Sequence, residues 1–342
     1  MMLSSLNSWW RSHGTLRAFY LLFLGQIVSF AVALCSFFSS LIAKLGVDAP
    51  LAQTLFVYLA LILIYGSILL YRRQKPRVSW YWYLLLAFAD VQANYLFNKA
   101  FQYTAITSVT LLDCWTIAWV IILTRILLGT RYSLLQLFGA ALCLVGLVLV
   151  LLSDARLNIG GGSRPLLGDI LVIAATLFYA VTNVGEEFFV KIQDRVEVVS
   201  MIGVYGFLVS LCEISILEIK NLESATLSAE IILALAGFVL SGILYYTVTP
   251  FVLKLSGATM YNLSLLTSDM WAVVFRIFLY HQQVGWLYYI AFAIVVIGLV
   301  VYSTNENELV PVPALDEGNQ NVHYQIVTDE NMLHLETETL TP

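Results

Sequence analysis

Residues Ser133 to Leu152 read SLLQLFGAALCLVGLVLVLL, twenty positions without one charged side chain. An α-helix needs about 20 predominantly apolar residues to cross the hydrocarbon core of a bilayer, so this stretch is long enough to span. It is too long and too evenly apolar for the alternating strand of an outer-membrane barrel. Lipid offers backbone amides no outside partner, which leaves the helix as its form. Outward in both directions, comparable runs fall near 18–43, 51–71, 79–102, 105–128, 168–191, 198–218, 229–252, 257–280 and 284–303, cut by charges and by Gly and Pro, so the sequence predicts ten crossings. The first run follows Arg11 and Arg17, yet it is longer than the apolar core of a secretory signal and lacks a convincing cleavage site. It reads as a retained helix.

Composition points the same way. Of 342 residues 60% are apolar and 11% charged, against about 25% charged in soluble domains, too few to cover a water-exposed surface. Net charge is −5, but the segment after Thr304 holds eight acidic residues and no Lys or Arg, so the membrane part is close to neutral and nothing suggests nucleic-acid binding. Alternating helices would collect eleven basic residues on one side (Arg11, Arg17, Arg72, Arg73, Lys75, Arg77, Arg125, Arg131, Lys191, Arg195 and Lys254) and six on the other, which puts both termini in the cytosol. The cluster Arg72-Arg73-Gln74-Lys75-Pro76-Arg77 is the strongest vote and reads as a stop-transfer flank. The choice between plasma membrane and an endomembrane stays open. Cys35, Cys114, Cys143 and Cys212 each fall in a different apolar run and read as packing residues.

The two halves resemble each other. Asp113-Cys114-Trp115 in the fourth run matches Asp269-Met270-Trp271 in the ninth, and Val145-Gly146-Leu147-Val148 in the fifth matches Ile297-Gly298-Leu299-Val300 in the tenth. A repeat of five helices is odd in number, so the second copy enters from the opposite face. Transporters built from such inverted repeats bind substrate near the midplane between the copies and expose it alternately to each side. The expected organisation is an N-terminal cytosolic segment over 1–17, one repeat over 18–152, a connecting loop over 153–167, the second repeat over 168–303 and an acidic tail over 304–342 that is poor in periodicity and reads as disordered.

Ionisable groups at bilayer depth cost about 2.5–3.5 kcal/mol each on insertion scales, so they point to a cavity or a partner. Asp90, Asn94, Asn98 and Gln102 recur at four-residue steps, each rotated about 40° from the last, and form one polar stripe. Asn262, Asp269 and Arg276 form another at seven-residue steps, and Tyr179, Asn183 and Glu186 a third, with Glu187 beside it. With Gln26, Asp113 and Ser264 these are the expected substrate-cavity residues: Gln26, Asp90, Asn94, Asn98, Asp113, Tyr179, Asn183, Glu186, Asn262, Ser264 and Asp269. Glu186, Glu187, Asp113 and Asp269 are the candidates for coupling transport to protons or to an exchanged solute, and Tyr95, Tyr245 and Tyr246 could stack on a ring. Plainer readings compete. Glu187 precedes Lys191 by four and would form a surface ion pair, and the symmetric Asp113 and Asp269 could pin the bundles structurally. Catalysis finds no support, because the four histidines are scattered and Gly160-Gly161-Gly162 lacks the Lys-Ser/Thr ending of a phosphate-cradling loop. No metal or cofactor is expected.

Three stretches carry a family resemblance: Asp90-Val91-Gln92-Ala93-Asn94-Tyr95 through Leu111-Leu112-Asp113-Cys114, then Thr182-Asn183-Val184-Gly185-Glu186-Glu187-Phe188, then Asn262-Leu263-Ser264-Leu265-Leu266-Thr267-Ser268-Asp269. In that order they resemble the F branch of the solute carrier 35 family, in the drug/metabolite transporter superfamily. The resemblance covers roughly 15–303 and implies a ten-helix, all-α inverted-repeat carrier similar to nucleotide-sugar transporters. For this branch it suggests a nucleobase- or nucleoside-like micronutrient of the queuine type, with nucleotide-sugar exchange as the alternative. A third reading, from another class, is a receptor or scaffold acting through its tail. There Tyr324-Gln325-Ile326-Val327 fits the tyrosine-x-x-hydrophobic pattern of sorting adaptors, with Tyr324 and Val327 as the residues read. Small residues Gly139, Ala140, Gly146, Ala293 and Gly298 would permit close helix contact, within one protomer or across a homodimer.

Overall fold

The computed structural model describes residues 14–47, 49–73, 78–100, 103, 109, 112–113, 115–155, 165–219, 228–268, 270–271, 274–275, 286–304, 312–314 and 323–325. Nine helices run through them: α1 (Gly14–Lys44), α2 (Pro50–Arg72), α3 (Trp80–Ala100), α4 (Trp115–Leu127), α5 (Leu134–Ala155), α6 (Pro165–Ile192), α7 (Arg195–Leu217), α8 (Ala229–Leu265) and α9 (Trp286–Thr304). Five of them, α1, α2, α6, α7 and α8, are long and apolar enough to cross a membrane, and three shorter apolar helices lie in α4, α5 and α9. The helices fall on the predicted runs. Helix α8 takes the eighth run and the start of the ninth, and α9 is the tenth. Within the tail, the described residues are two three-residue strands, β1 (Val312–Ala314) and β2 (His323–Gln325), paired antiparallel with Pro313 opposite Tyr324. Val327 lies outside the described residues.

Local chemistry sets the helix ends. Ser133 and Gln136 close a reciprocal box at the start of α5: the Gln136 amide donates to Ser133 Oγ at 3.1 Å and the Ser133 amide to Gln136 Oε1 at 2.8 Å. Helix α2 opens with Pro50 in its first turn, and the free amides of Leu51 and Ala52 donate to the two oxygens of Glu218 at 2.9 and 3.1 Å. The same helix widens into a π-turn at Ile62–Gly66 and stops where Arg73 takes a left-handed φ of 51°. Helix α8 is really two helical segments. Gly257, at φ 78° and ψ 173°, breaks it at the place where the sequence separates the eighth and ninth runs.

Packing follows an exchange of the two halves. Helix α3 lies along α6 and α1 along α8, contacts that interchange when the first five runs are laid on the second five, while the α2–α7 and α5–α9 contacts map onto themselves. Residues repeat the pattern. The offset that lays Gly146 on Gly298 also lays Cys143 on Val295 and Gly139 on Ala291. A Cβ on Gly139 would sit 2.8 Å from Gly298 O and one on Gly298 2.8 Å from Gly139 O, while one on Gly146 would stand 3.0 Å from Ala291 O. Cys143 Sγ donates to Val295 O at 3.6 Å between those crossings. The contacts run in opposite sequence directions, so α5 and α9 are antiparallel, and Gly139, Gly146 and Gly298 serve a contact within one protomer, whereas Ala293 is exposed. Large apolar side chains cover the outer faces, among them Leu134, Leu233 and Leu240 at 85%, 76% and 68% exposure, as lipid-facing surfaces require.

Candidate solute-binding site

Helical spacing brings the polar stripes together. On α3 the four-residue steps place Asp90, Asn94 and Asn98 along one side, where Asn94 Nδ2 donates to Asp90 O at 2.9 Å and Asn98 Nδ2 to Asn94 O at 2.8 Å. The Asp90 side chain is 6% exposed. Its Oδ2 accepts hydrogen bonds from Tyr58 Oη on α2 at 2.7 Å and from Tyr246 Oη on α8 at 2.6 Å, so three helices meet on one oxygen. The Tyr58 and Tyr246 rings lie 5.9 Å apart, and Tyr245 meets Tyr246 edge-on at 4.9 Å. Tyr245 Oη and Tyr261 Oη share a 2.6 Å hydrogen bond across the Gly257 break.

Helix α6 supplies the facing side. Tyr179 Oη donates to Asn94 Oδ1 at 3.0 Å, and one turn on, Asn183 Nδ2 donates to Asn262 Oδ1 at 2.9 Å. Three residues further along the same face, Glu186 is buried and its Oε1 has no hydrogen-bond partner. Trp119 Nε1 on α4 is a second buried atom without a partner. A buried polar atom left unpaired forfeits about 1–3 kcal/mol, so these two groups are kept against a stability cost.

Asp90, Asn94, Asn98 and Tyr179 thus form one hydrogen-bonded group, and the Asn183–Asn262 pair and Glu186 continue the Tyr179 face of α6 beside it. Other expected residues lie elsewhere. Gln26 joins α1 to the second half, donating to Thr267 Oγ1 at 2.9 Å and accepting from Trp271 Nε1 at 3.2 Å. Ser264 stands in that seam, its carbonyl accepting from Ser29 Oγ and its hydroxyl buried without a partner. Asp113 accepts from Thr116 Oγ1 at 3.1 Å just ahead of α4. Asp269, Arg276 and Gln102 lie outside the described residues. Glu187 does pair with Lys191, but not at the surface: its side chain is 4% exposed. It also accepts from the Ala258 amide at 2.7 Å, where the chain resumes its helix after Gly257, so it acts as an acidic cap on the helix break. Tyr58, Tyr261 and Trp119 escaped the sequence reading. A Tyr or Trp in an apolar run looks like any core or interface aromatic until a neighbouring helix brings a carboxylate to it.

An α-helical bundle with apolar outer surfaces and buried polar groups drawn from several helices is that of a multi-pass membrane protein. Comparison with known proteins narrows this. The family model described as Solute carrier family 35, for its F branch, matches residues 15–304. Solute carrier family 35 member F2 of Mus musculus is 33% identical over 299 residues, covering 85% of this chain and 80% of that protein, and its counterpart from Xenopus tropicalis is 31% identical over 296 residues, covering 82% and 76%. A solute carrier family 35 member of Schizosaccharomyces pombe is 35% identical over 295 residues, 84% of this chain but 58% of its own length. A solved structure superposes with a TM-score of 0.65 at 18% identity, covering 82% of this chain and 98% of that one, a likeness of fold alone. The chain belongs to solute carrier family 35. It is membrane-embedded and multi-pass, and its family consists of transporters of small solutes.

Proposed function

We propose that the chain is a secondary carrier that crosses the membrane ten times as two inverted five-helix copies, with both termini cytosolic, and moves one small organic solute by alternating access. The cluster around Asp90 is its binding site. One observation carries this reading: Asp90 of the first half is held by Tyr246 of the second, and Asn94 by Tyr179, so the polar groups at the middle of the protein bridge the parts that must move. A carrier needs its ligand contacts split across that boundary, because binding then biases one arrangement of the halves over the other. The aromatic rings of Tyr58, Tyr245 and Tyr246 suit a flat solute of the nucleobase or nucleoside type, and a nucleotide sugar is the alternative cargo. Glu186 is the coupling group, since Glu187 is committed to the helix break.

The test is a metabolite-library thermal-shift screen on purified full-length protein, followed by flux of the stabilising compounds in liposomes with and without a pH gradient. Saturable flux that falls in Glu186→Gln while membrane insertion is unchanged is the expected result. Full flux in that variant removes Glu186 from the mechanism, and binding without flux in any condition removes the carrier reading.

A further inference from the structure

We infer that the solute carried at this site is a cation, an organic ammonium or a positively charged ring, whose charge sits between Asp90 and Glu186. The inference rests on the reading of the cluster as the solute site. Among the described residues five acids are buried (Asp90, Glu186, Glu187, Glu197 and Glu218), and no Lys, Arg or His is. Three of these acids have structural work. Glu187 holds Lys191 and the Ala258 amide, Glu197 accepts from Tyr83 Oη at 2.8 Å, and Glu218 caps α2. Of the other two, Asp90 belongs to the central hydrogen-bonded group and Glu186 to the α6 face beside it. Asp90 is neutralised by nothing stronger than two phenol hydroxyls, and Glu186 Oε1 meets no donor at all.

The groups that face this pair repeat the pattern. Tyr58 comes from α2, Tyr179 from α6, and Tyr245, Tyr246 and Tyr261 from the two segments of α8. None carries positive charge. Phosphate-bearing solutes are recognised by Arg and Lys, whose forks and ammonium groups match their oxygens. Here a diphosphate would meet two carboxylates, so the site disfavours a nucleotide sugar. A cation gains from both carboxylates, and the Tyr58 and Tyr246 hydroxyls already aim at one of them.

The experiment compares guanosine, its N7-alkylated derivative 7-methylguanosine, part cation and part zwitterion at neutral pH, and its anion GMP, together with the permanent cation 1-methyl-4-phenylpyridinium and neutral 4-phenyltoluene, as binders of full-length protein in detergent. The cations are expected to bind at least tenfold tighter than their neutral or anionic partners, and Glu186→Gln to erase that preference while the purified variant keeps its elution volume and melting profile. Glu186→Asp, which restores the charge on a shorter arm, should recover part of the preference. Binding of GMP or guanosine that equals or exceeds the cations, and that is lost in Asn183→Ala, overturns the charge assignment and leaves the site standing. Cation binding indifferent to both Asn183→Ala and Glu186→Gln overturns the site itself and the inference with it.

Discussion

Asp90 concentrates the logic of the protein in one carboxylate oxygen. Each hydroxyl reaching it is a hydrogen bond to a group that can carry charge, worth about 1.5–3 kcal/mol, and each comes from a different helix. Tyr246→Phe removes one without changing the ring. We expect a loss of about 1–3 kcal/mol, read as a lower midpoint in thermal denaturation of the detergent-purified protein, together with weaker solute binding. An unchanged midpoint would show that the pair contributes nothing net. Sequence reading located Asp90, Asn94 and Asn98 because charge and amide side chains are rare in lipid and their spacing is periodic. It could not find Tyr58, because the partner that gives this tyrosine meaning lies 32 residues away on another helix. Gln26 illustrates the converse: its polarity marked it, but only tertiary packing assigns it to Thr267 and Trp271 rather than to the cluster.

At the level of single elements, Gly257 and Glu187 belong together. A side chain at φ 78° is strained, and here its Cβ would also meet Glu187 Oε1 at 2.9 Å. Gly257→Ala should therefore destabilise the protein by about 1–2 kcal/mol or more. Glu187→Gln keeps an acceptor for the Ala258 amide but discards the charge facing Lys191, so its cost should be the smaller of the two; a ranking in the reverse order, measured by thermal unfolding in one detergent, would show that the ion pair rather than the backbone turn controls this joint. The break itself was legible, since the eighth and ninth runs part just before Gly257. The Ser133–Gln136 box is written in the sequence at the expected spacing, and Ser133→Ala should cost about 1 kcal/mol. The pairing of Glu187 with a glycine 70 positions on is not, since nothing in a local window relates them. The π-turn of α2 likewise lies inside an unbroken apolar run and leaves no mark there.

Across the whole molecule the legible part was the architecture: long apolar runs and the rarity of charge were enough for a helical membrane bundle. What the sequence left open was how the halves meet, because glycine in an apolar helix is compatible with contact inside a protomer or between protomers. The structure places Gly139 and Gly298 against each other's backbone, so Gly298→Val should abolish accumulation of folded protein in membranes, and Gly139→Val should do the same. Normal yield and a normal elution profile for either variant would be incompatible with that approach. Because α5 and α9 meet through backbone atoms of the two helices themselves, a cut in the chain between Ala155 and Pro165 should leave those contacts in place. Two separately translated polypeptides, one ending and one beginning between those residues, should find each other in the bilayer and reconstitute the parent, a behaviour that ancestral genes encoding single halves would have needed before they fused.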